Sequence, residues 1–236
     1  MRYTSSTLLL ICLGIASLLS CKKEDNNTPL LASVNIVHAV VNVPAIKVNY
    51  FGSTVIYRTY TDSVKYGAYK IYSLGAGPEA PLTIIPMLDT TKSLLSGSLG
   101  LTPGGMYSLF LSGQYPSTDT LLVQDHISNY TDSLVGVRFI NLSPGSSPVS
   151  INIKNNQSDP EVSSLAYKQI TNFKTYPATT GISNYVFEVR DAVSGTLLVS
   201  FTCTITKFHN HTLVLKGLVG GSGVNALGMV QVNNFL

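Results

Sequence analysis

An all-β chain of two tandem β-sandwich modules is what this sequence predicts, and three observations predict it. Apolar residues recur with a period of two, the punctuation between them is Gly, Pro, Asn and Ser, and the whole pattern occurs twice. SVNIVHAVVNVPAIKVNYFG, from Ser33, is matched by GVRFINLSPGSSPVSINIKN, from Gly136: an alternating strand, a small or polar break with proline, and a second alternating strand. YRTYTD, Tyr57 to Asp62, is set against YKQITN, Tyr167 to Asn172, and YSLFLSG, Tyr107 to Gly113, against HTLVLKG, His211 to Gly217. Three blocks in one order define module 1 over residues 32–125, a linker over 126–135 and module 2 over 136–236.

The elements follow from the N-terminus. Arg2 supplies a positive start, and TLLLICLGIASLL is an apolar run of the length an export signal needs, shorter than the roughly twenty residues that span a bilayer. Leu18-Leu19-Ser20-Cys21 resembles the bacterial lipobox. In that resemblance residues 1–20 are a lipoprotein signal peptide, and Cys21 is the lipidated first residue of the mature chain, carrying diacylglycerol and palmitate-type acyl groups. A buried Cys21 would take Lys22, Lys23, Glu24 and Asp25 inside with it, at several kcal/mol per unpaired charge. Two or three acyl chains hold a protein on a membrane where one does so only marginally, so the membrane is the first expected partner. Residues 21–31 form the tether. The charged cluster Lys22 to Asp25 resembles the export signal of Bacteroidetes-type lipoproteins, which implies the extracellular face of the outer membrane, with the periplasmic face as the alternative.

Past the tether, Val34, Ile36 and Ala39 with Ile46, Val48 and Tyr50 fit half-buried strands, as do Val137 and Phe139 with Val149, Ile151 and Ile153. LSPGSSP, GAGPEAP and TPGGM read as loops, and Val193 to Thr196, VSGT, as the turn of a hairpin between VFEVRDA and LLVSFTCTIT. Of the cysteines left after signal removal, Cys203 sits in alternating SFTCTIT as a small core residue, and the pair makes no disulfide framework. No helical stripe exceeds one or two turns. Six or seven short strands per module argue an immunoglobulin-like or transthyretin-like sandwich, twice, in series on the tether with module 2 farther from the membrane.

VRFINLSPGSSPVSINI and, more weakly, VNIVHAVVNVPAIKVNY are similar to the opening of the domain of unknown function 4397, and YGAYKI and LFLSG fit its later strands. The first copy departs at Val40 to Val43, where the Ser-Pro is missing. The resemblance implies an extracytoplasmic bacterial protein, often a lipoprotein, and supplies no catalytic residues.

Function is narrowed mainly by exclusion. Charged residues are 11% of the chain, less than half the usual share of about 25%, and a net charge of +3 without a basic stripe gives no footprint for nucleic acid. Nucleophile elbow, zinc-protease, Walker and EF-hand patterns are absent. Gly75 to Ala80 fits G-x-G-x-x-A but opens onto prolines, so it is read as a loop and no cofactor is expected. His209 and His211 fall on one face of a strand without a third ligand nearby and are read as strand-end residues, with no metal assigned. Glu188 and Asp191 around Arg190 read as a solvated cluster. His38 matches Asn141, which predicts a shared hydrogen bond from the end of the first strand to a turn.

IYRTYTDSVKYGAYKIY concentrates Tyr57, Tyr60, Tyr66, Tyr69 and Tyr72, flat apolar faces with a hydroxyl edge that suit strand packing or a sugar or protein ligand. Tyr57 is set against Tyr167 and is read as architectural; Tyr60, Tyr66 and Tyr69 are the candidate ligand-binding residues. Asp-Ser/Thr-hydrophobic segments at Asp62, Asp89, Asp119 and Asp132 resemble O-glycosylation acceptors, which implies Ser63, Thr90, Thr120 and Ser133 as modification sites. The expected protein is a non-catalytic binding or adhesion lipoprotein of the cell envelope. The alternative is an accessory subunit of an outer-membrane glycan-capture complex.

Overall fold

The computed structural model describes residues 30–234; Cys21, the expected signal segment and most of the expected tether lie outside them. Module 1 holds β1 (Leu31–His38), β2 (Ala45–Asn49), β3 (Val64–Lys65), β4 (Tyr69–Gly75), β5 (Gly77–Pro86), β6 (Leu95–Leu101), β7 (Met106–Gln114) and β8 (Ser117–Gln124). Module 2 holds β9 (Leu134–Asn141), β10 (Val149–Ile153), β11 (Val162–Leu165), β12 (Lys174–Pro177), β13 (Asn184–Asp191), β14 (Leu197–Thr204), β15 (Asn210–Lys216) and β16 (Gly228–Asn234). Eight strands per module exceed the six or seven expected, because the chain switches sheets through very short segments such as the two-residue β3.

Each module is a sandwich of two four-stranded sheets. Module 1 has an inner sheet ordered β4-β1-β7-β8 and an outer sheet ordered β3-β2-β5-β6; module 2 repeats both as β12-β9-β15-β16 and β11-β10-β13-β14. The central pairs β1–β7 and β9–β15 are parallel, and the other pairs of strands among the described residues are antiparallel. Alternation sorts the side chains: Val34 and Ile36 of β1 with Leu109 and Leu111 of β7 fill the first sandwich, and Val137, Phe139, Leu213 and Leu215 fill the second.

The opposite faces of the inner sheets are also buried. Val37, Ala39 and Phe110 of module 1 pack on Ile140, Leu142, Val214 and Val232 of module 2 as a third apolar cluster. The order is therefore outer, inner, inner, outer, four β layers stacked face to face. The expectation of two sandwiches merely in series is corrected here: the central strands carry apolar residues on both faces, and only stacking buries both. Leu31 lies in β1, and Leu134 and Val135 lie in β9, so the strands extend two residues into the expected linker and one into the tether.

Several local readings hold. Cys203 is fully buried in β14, and Val193 to Thr196 turns β13 into β14. His38 and Asn141 play one role: His38 Nδ1 accepts the Val40 N–H at 3.3 Å and Nε2 meets the Val43 carbonyl at 2.9 Å, while Asn141 Oδ1 accepts the Ser143 N–H at 3.0 Å and Nδ2 reaches Ser146 Oγ at 3.1 Å. Asn42 (φ 68°) and Gly145 (φ 73°) take the same left-handed position, so the turn survives without Ser-Pro. Other readings are corrected. GAGPEAP is not a loop: β4 ends at Gly75 and β5 begins at Gly77, with a register shift between Gly77 and Ala80 that accommodates Pro78. Glu188 is covered, held by Arg190 Nη2 at 2.8 Å and Asn152 Nδ2 at 3.2 Å.

Gly113 and Gly217 are repeat mates at φ 93° and 88°. A Cβ on Gly217 would stand 2.2 Å from the Ala226 carbonyl oxygen. Gly217→Ala is expected to destabilise the chain by about 2 kcal/mol or more, visible as a lower urea midpoint at unchanged slope.

Candidate binding site at the module junction

The junction is a pseudo-two-fold interface. Val37 and Ile140 are repeat mates, as are Phe110 and Val214, and Val123 and Val232, and these residues meet on one surface as they would in a symmetric dimer. The backbone also corrects the repeat alignment. Gly67 N–H bonds the His38 carbonyl and Lys168 N–H bonds the Asn141 carbonyl, both residues at positive φ, so the mate of Tyr167 is Tyr66, not Tyr57. Matching by side-chain type slid because the segment after β2 is longer than the one after β10.

Polar chemistry is concentrated on one side of the pseudo-axis. Arg138, mid-strand in β9, donates from Nη2 to Asp125 Oδ1 at 2.6 Å and from Nε to Thr212 Oγ1 at 2.8 Å. Ser108 donates to Asp125 Oδ2 at 2.7 Å, and Thr212 donates to Asn234 Oδ1 at 2.6 Å. The ion-pair side chains are 5% and 0% exposed, and Phe173 lies 4.5 Å beneath the guanidinium. Burial pulls the Arg138 pKa down and Asp125 opposes the shift. At the mate of Arg138 stands Asn35, fully buried with both side-chain polar atoms unpartnered.

Above this network opens a cleft of about 300 Å³, lined among others by Gln124, Ser128, Arg138, Thr171, Asn172 and Phe173. The linker forms one wall and is pinned there, with Asn210 Nδ2 donating to the Ser128 carbonyl at 2.9 Å and Tyr130 donating to Asn210 Oδ1 at 3.1 Å. The cleft offers a half-buried aromatic ring, one guanidinium edge and neutral hydrogen-bonding groups, at the kind of module boundary where ligand sites concentrate.

The three candidate tyrosines do not share a face. Tyr60 is half-buried and donates to the Val48 carbonyl at 2.9 Å, so it closes the outer sheet of module 1. Tyr69 packs on the junction cluster, and its hydroxyl accepts the Asn233 N–H at 3.2 Å. Tyr66 meets His38 edge-on at 5.7 Å and carries the Lys216 ammonium over its ring at 4.7 Å. Closeness in sequence does not bring them together: Tyr60 lies in the loop between β2 and β3, Tyr66 just past β3, and Tyr69 at the start of β4. Of the modification candidates, Thr90 and Thr120 are exposed while Ser63 and Ser133 are half-buried. His209 and His211 stack at 6.2 Å, and among the described residues no group of three or more His, Cys, Asp or Glu side chains is placed to hold a metal.

Arg138 and Asp125 were missed by the sequence reading. The signal for Arg138 is a charged residue inside an otherwise apolar run, VGVRFINL, and the same signal marks Lys216 in HTLVLKG; Asp125, in VQDHIS, carries no such mark.

These features define a class: a two-module all-β protein whose inner sheets fuse into one internal pseudo-dimer. The model for the domain of unknown function (DUF4397) matches residues 32–152, just over half of the chain, covering all of module 1 and the first two strands of module 2. The chain belongs to the DUF4397 family. No curated protein matches it. No helix of the described residues is long and apolar enough to cross a membrane.

Proposed function

We propose that this chain is a non-catalytic binding protein of the cell envelope, lipid-anchored through Cys21 on the outer membrane, and that it recognises a glycan in the junction cleft. The observation that carries the reading is the cleft's composition. Phe173 offers an apolar face for the C–H side of a sugar ring, and Gln124, Ser128, Thr171 and Asn172 surround it with neutral donors and acceptors. The lipobox at Leu18 to Cys21 supports the anchor, and the low charge of the chain suits a neutral ligand.

Affinity electrophoresis of the mature chain against a panel of soluble polysaccharides tests the ligand. At least one is expected to retard the protein, and Asn172→Ala or Phe173→Ala is expected to abolish the retardation while the thermal melt stays cooperative. An unretarded wild type, or retardation indifferent to both variants, would overturn the glycan reading. In cells, Cys21→Ala is expected to release the protein from the membrane fraction; continued acylation and membrane binding would overturn the anchor. A stoichiometric outer-membrane protein co-purifying with the chain, without glycan retardation, would instead assign it as an accessory subunit.

A further inference from the structure

The pseudo-two-fold axis relates two corners of the junction that are chemically unequal. In one, Tyr167 reaches across from module 2: its hydroxyl meets Ser112 Oγ at 2.9 Å and donates to Asp119 Oδ2 at 3.0 Å, and Lys168 Nζ closes on Asp119 Oδ1 at 2.7 Å. A hydroxyl and an ammonium thus converge on one carboxylate. In the other corner the mates are Tyr66 from module 1 and Lys216, which stands where Ser112 does. Ser112 pairs with Asp119 across β7–β8, and Lys216 pairs with Gly228 across β15–β16, so the mate of Asp119 is a glycine.

The second corner therefore keeps the donors and lacks the acceptor. Tyr66 Oη is buried without a hydrogen-bond partner, and among the described residues Lys216 has no acidic partner. An unpartnered buried hydroxyl costs about 1–3 kcal/mol, and such a group calls for an explanation. Tyr66 also lines a mainly apolar recess of about 220 Å³ with Val43, Pro44 and Val224, bridged above by Asn225 Nδ2 donating to Asn42 Oδ1 at 2.7 Å.

We propose that this corner binds a small aliphatic carboxylate, whose oxygens take the place that Asp119 holds in the mate corner while its apolar tail enters the recess. The Tyr66 hydroxyl donates to one carboxylate oxygen and the Lys216 ammonium donates to the carboxylate group. Burial that pushes Tyr66 up to about 12 and Lys216 down is relieved for the lysine by an arriving anion. The site stands apart from the glycan cleft and does not depend on it.

The test is an NMR titration of the mature chain with sodium hexanoate, with sodium chloride and hexan-1-ol as controls. Saturable shifts at the Gly67, Lys216 and Gly228 amides are expected, with a Kd on the order of 1 mM, weakened about tenfold in Tyr66→Phe and in Lys216→Met. Gly228→Asp supplies the missing carboxylate from within: Gly228 is not at positive φ, and a Cβ there meets nothing nearer than 3.9 Å. This variant is expected to raise Tm by about 3 °C and to abolish hexanoate binding. Shifts that fail to saturate, that chloride or hexan-1-ol reproduces, or that persist in Gly228→Asp would overturn the proposal.

Discussion

Asp125→Ala is expected to destabilise the chain by about 3–5 kcal/mol, the largest effect of any single replacement at the junction. Among the described residues Asp125 is the carboxylate paired with Arg138, and removing it leaves a guanidinium whose side chain is 5% exposed without that counter-charge. The neighbours cannot compensate. Thr212 and Ser108 take single bonds from the guanidinium, and neither is charged. A double replacement, Asp125→Leu with Arg138→Met, is expected to recover most of the loss, because a buried ion pair replaced by apolar groups of similar volume is often neutral or stabilising. Urea denaturation of the single and double variants checks both statements. A single-variant loss under about 1 kcal/mol would mean that the pair behaves as a surface bridge and does not hold the modules together.

Acid is expected to weaken the fold over an unusual window, from pH 6.5 down to about 4, above the range where carboxylates titrate. His38 and His211 are each lowered from 6.5 to about 4, chiefly by burial, with the His209 ring adding to the effect on His211. The His211 nitrogens are buried without partners, the Asn233 side chain standing beside the ring outside hydrogen-bonding geometry. The unfolded chain therefore binds protons that the folded chain refuses. The stability that each neutral imidazole contributes is fully present above pH 6.5 and is lost as pH falls toward 4, at up to about 1.4 kcal/mol per pH unit for each residue. Together the two histidines amount to several kcal/mol. Asp119 and Glu188, held low by Lys168 and Arg190, lose their contribution only at still lower pH. His38→Asn is expected to remove about half of the acid sensitivity while keeping the turn, since Asn141 Oδ1 accepts the Ser143 N–H in module 2 as His38 Nδ1 accepts the Val40 N–H in module 1. His211→Leu is expected to remove the other half. Chemical denaturation at pH 7.0, 5.5 and 4.5 measures the slope, and a flat profile over that range in the wild type would show that neither ring is kept neutral by the fold.

The duplication was legible because the two copies keep the same alternation and turn residues. Ser33 to Gly52 can be laid beside Gly136 to Asn155, and the structure gives each segment two strands, β1 and β2 in the first and β9 and β10 in the second, at matching places in their sheets. The hidden part was the second buried face. IVHAVV is a nearly continuous apolar run, the signature of a strand covered on both sides, yet alternation groups Ala39 with Val34 and Ile36, whereas it packs with Val37 in the junction cluster. The tyrosine cluster separates for a related reason: Tyr60, Tyr66 and Tyr69 are close along the chain, but Tyr60 bonds the Val48 carbonyl, Tyr66 meets His38 and Lys216, and Tyr69 reaches Asn233. Arg138 and Lys216 are written in the sequence as charges within apolar strands, but which carboxylate meets the first, and that among the described residues none meets the second, depends on a pairing between modules that alternation does not encode.

The internal pseudo-dimer changes the concentration dependence of the junction. Two separate copies of such a module would have to find each other in solution, and at the low densities of a dilute protein their pairing would compete with loss of translational freedom. Joined by the short stretch from residue 125 to 134, the partner surfaces meet at an effective concentration on the order of millimolar, whatever the abundance of the protein. Covalent tethering also frees the two halves from identity. Asn35 can stand at the position that matches Arg138, and Gly228 at the one that matches Asp119, without breaking a symmetric contact elsewhere, so the two halves of the junction can carry different chemistry.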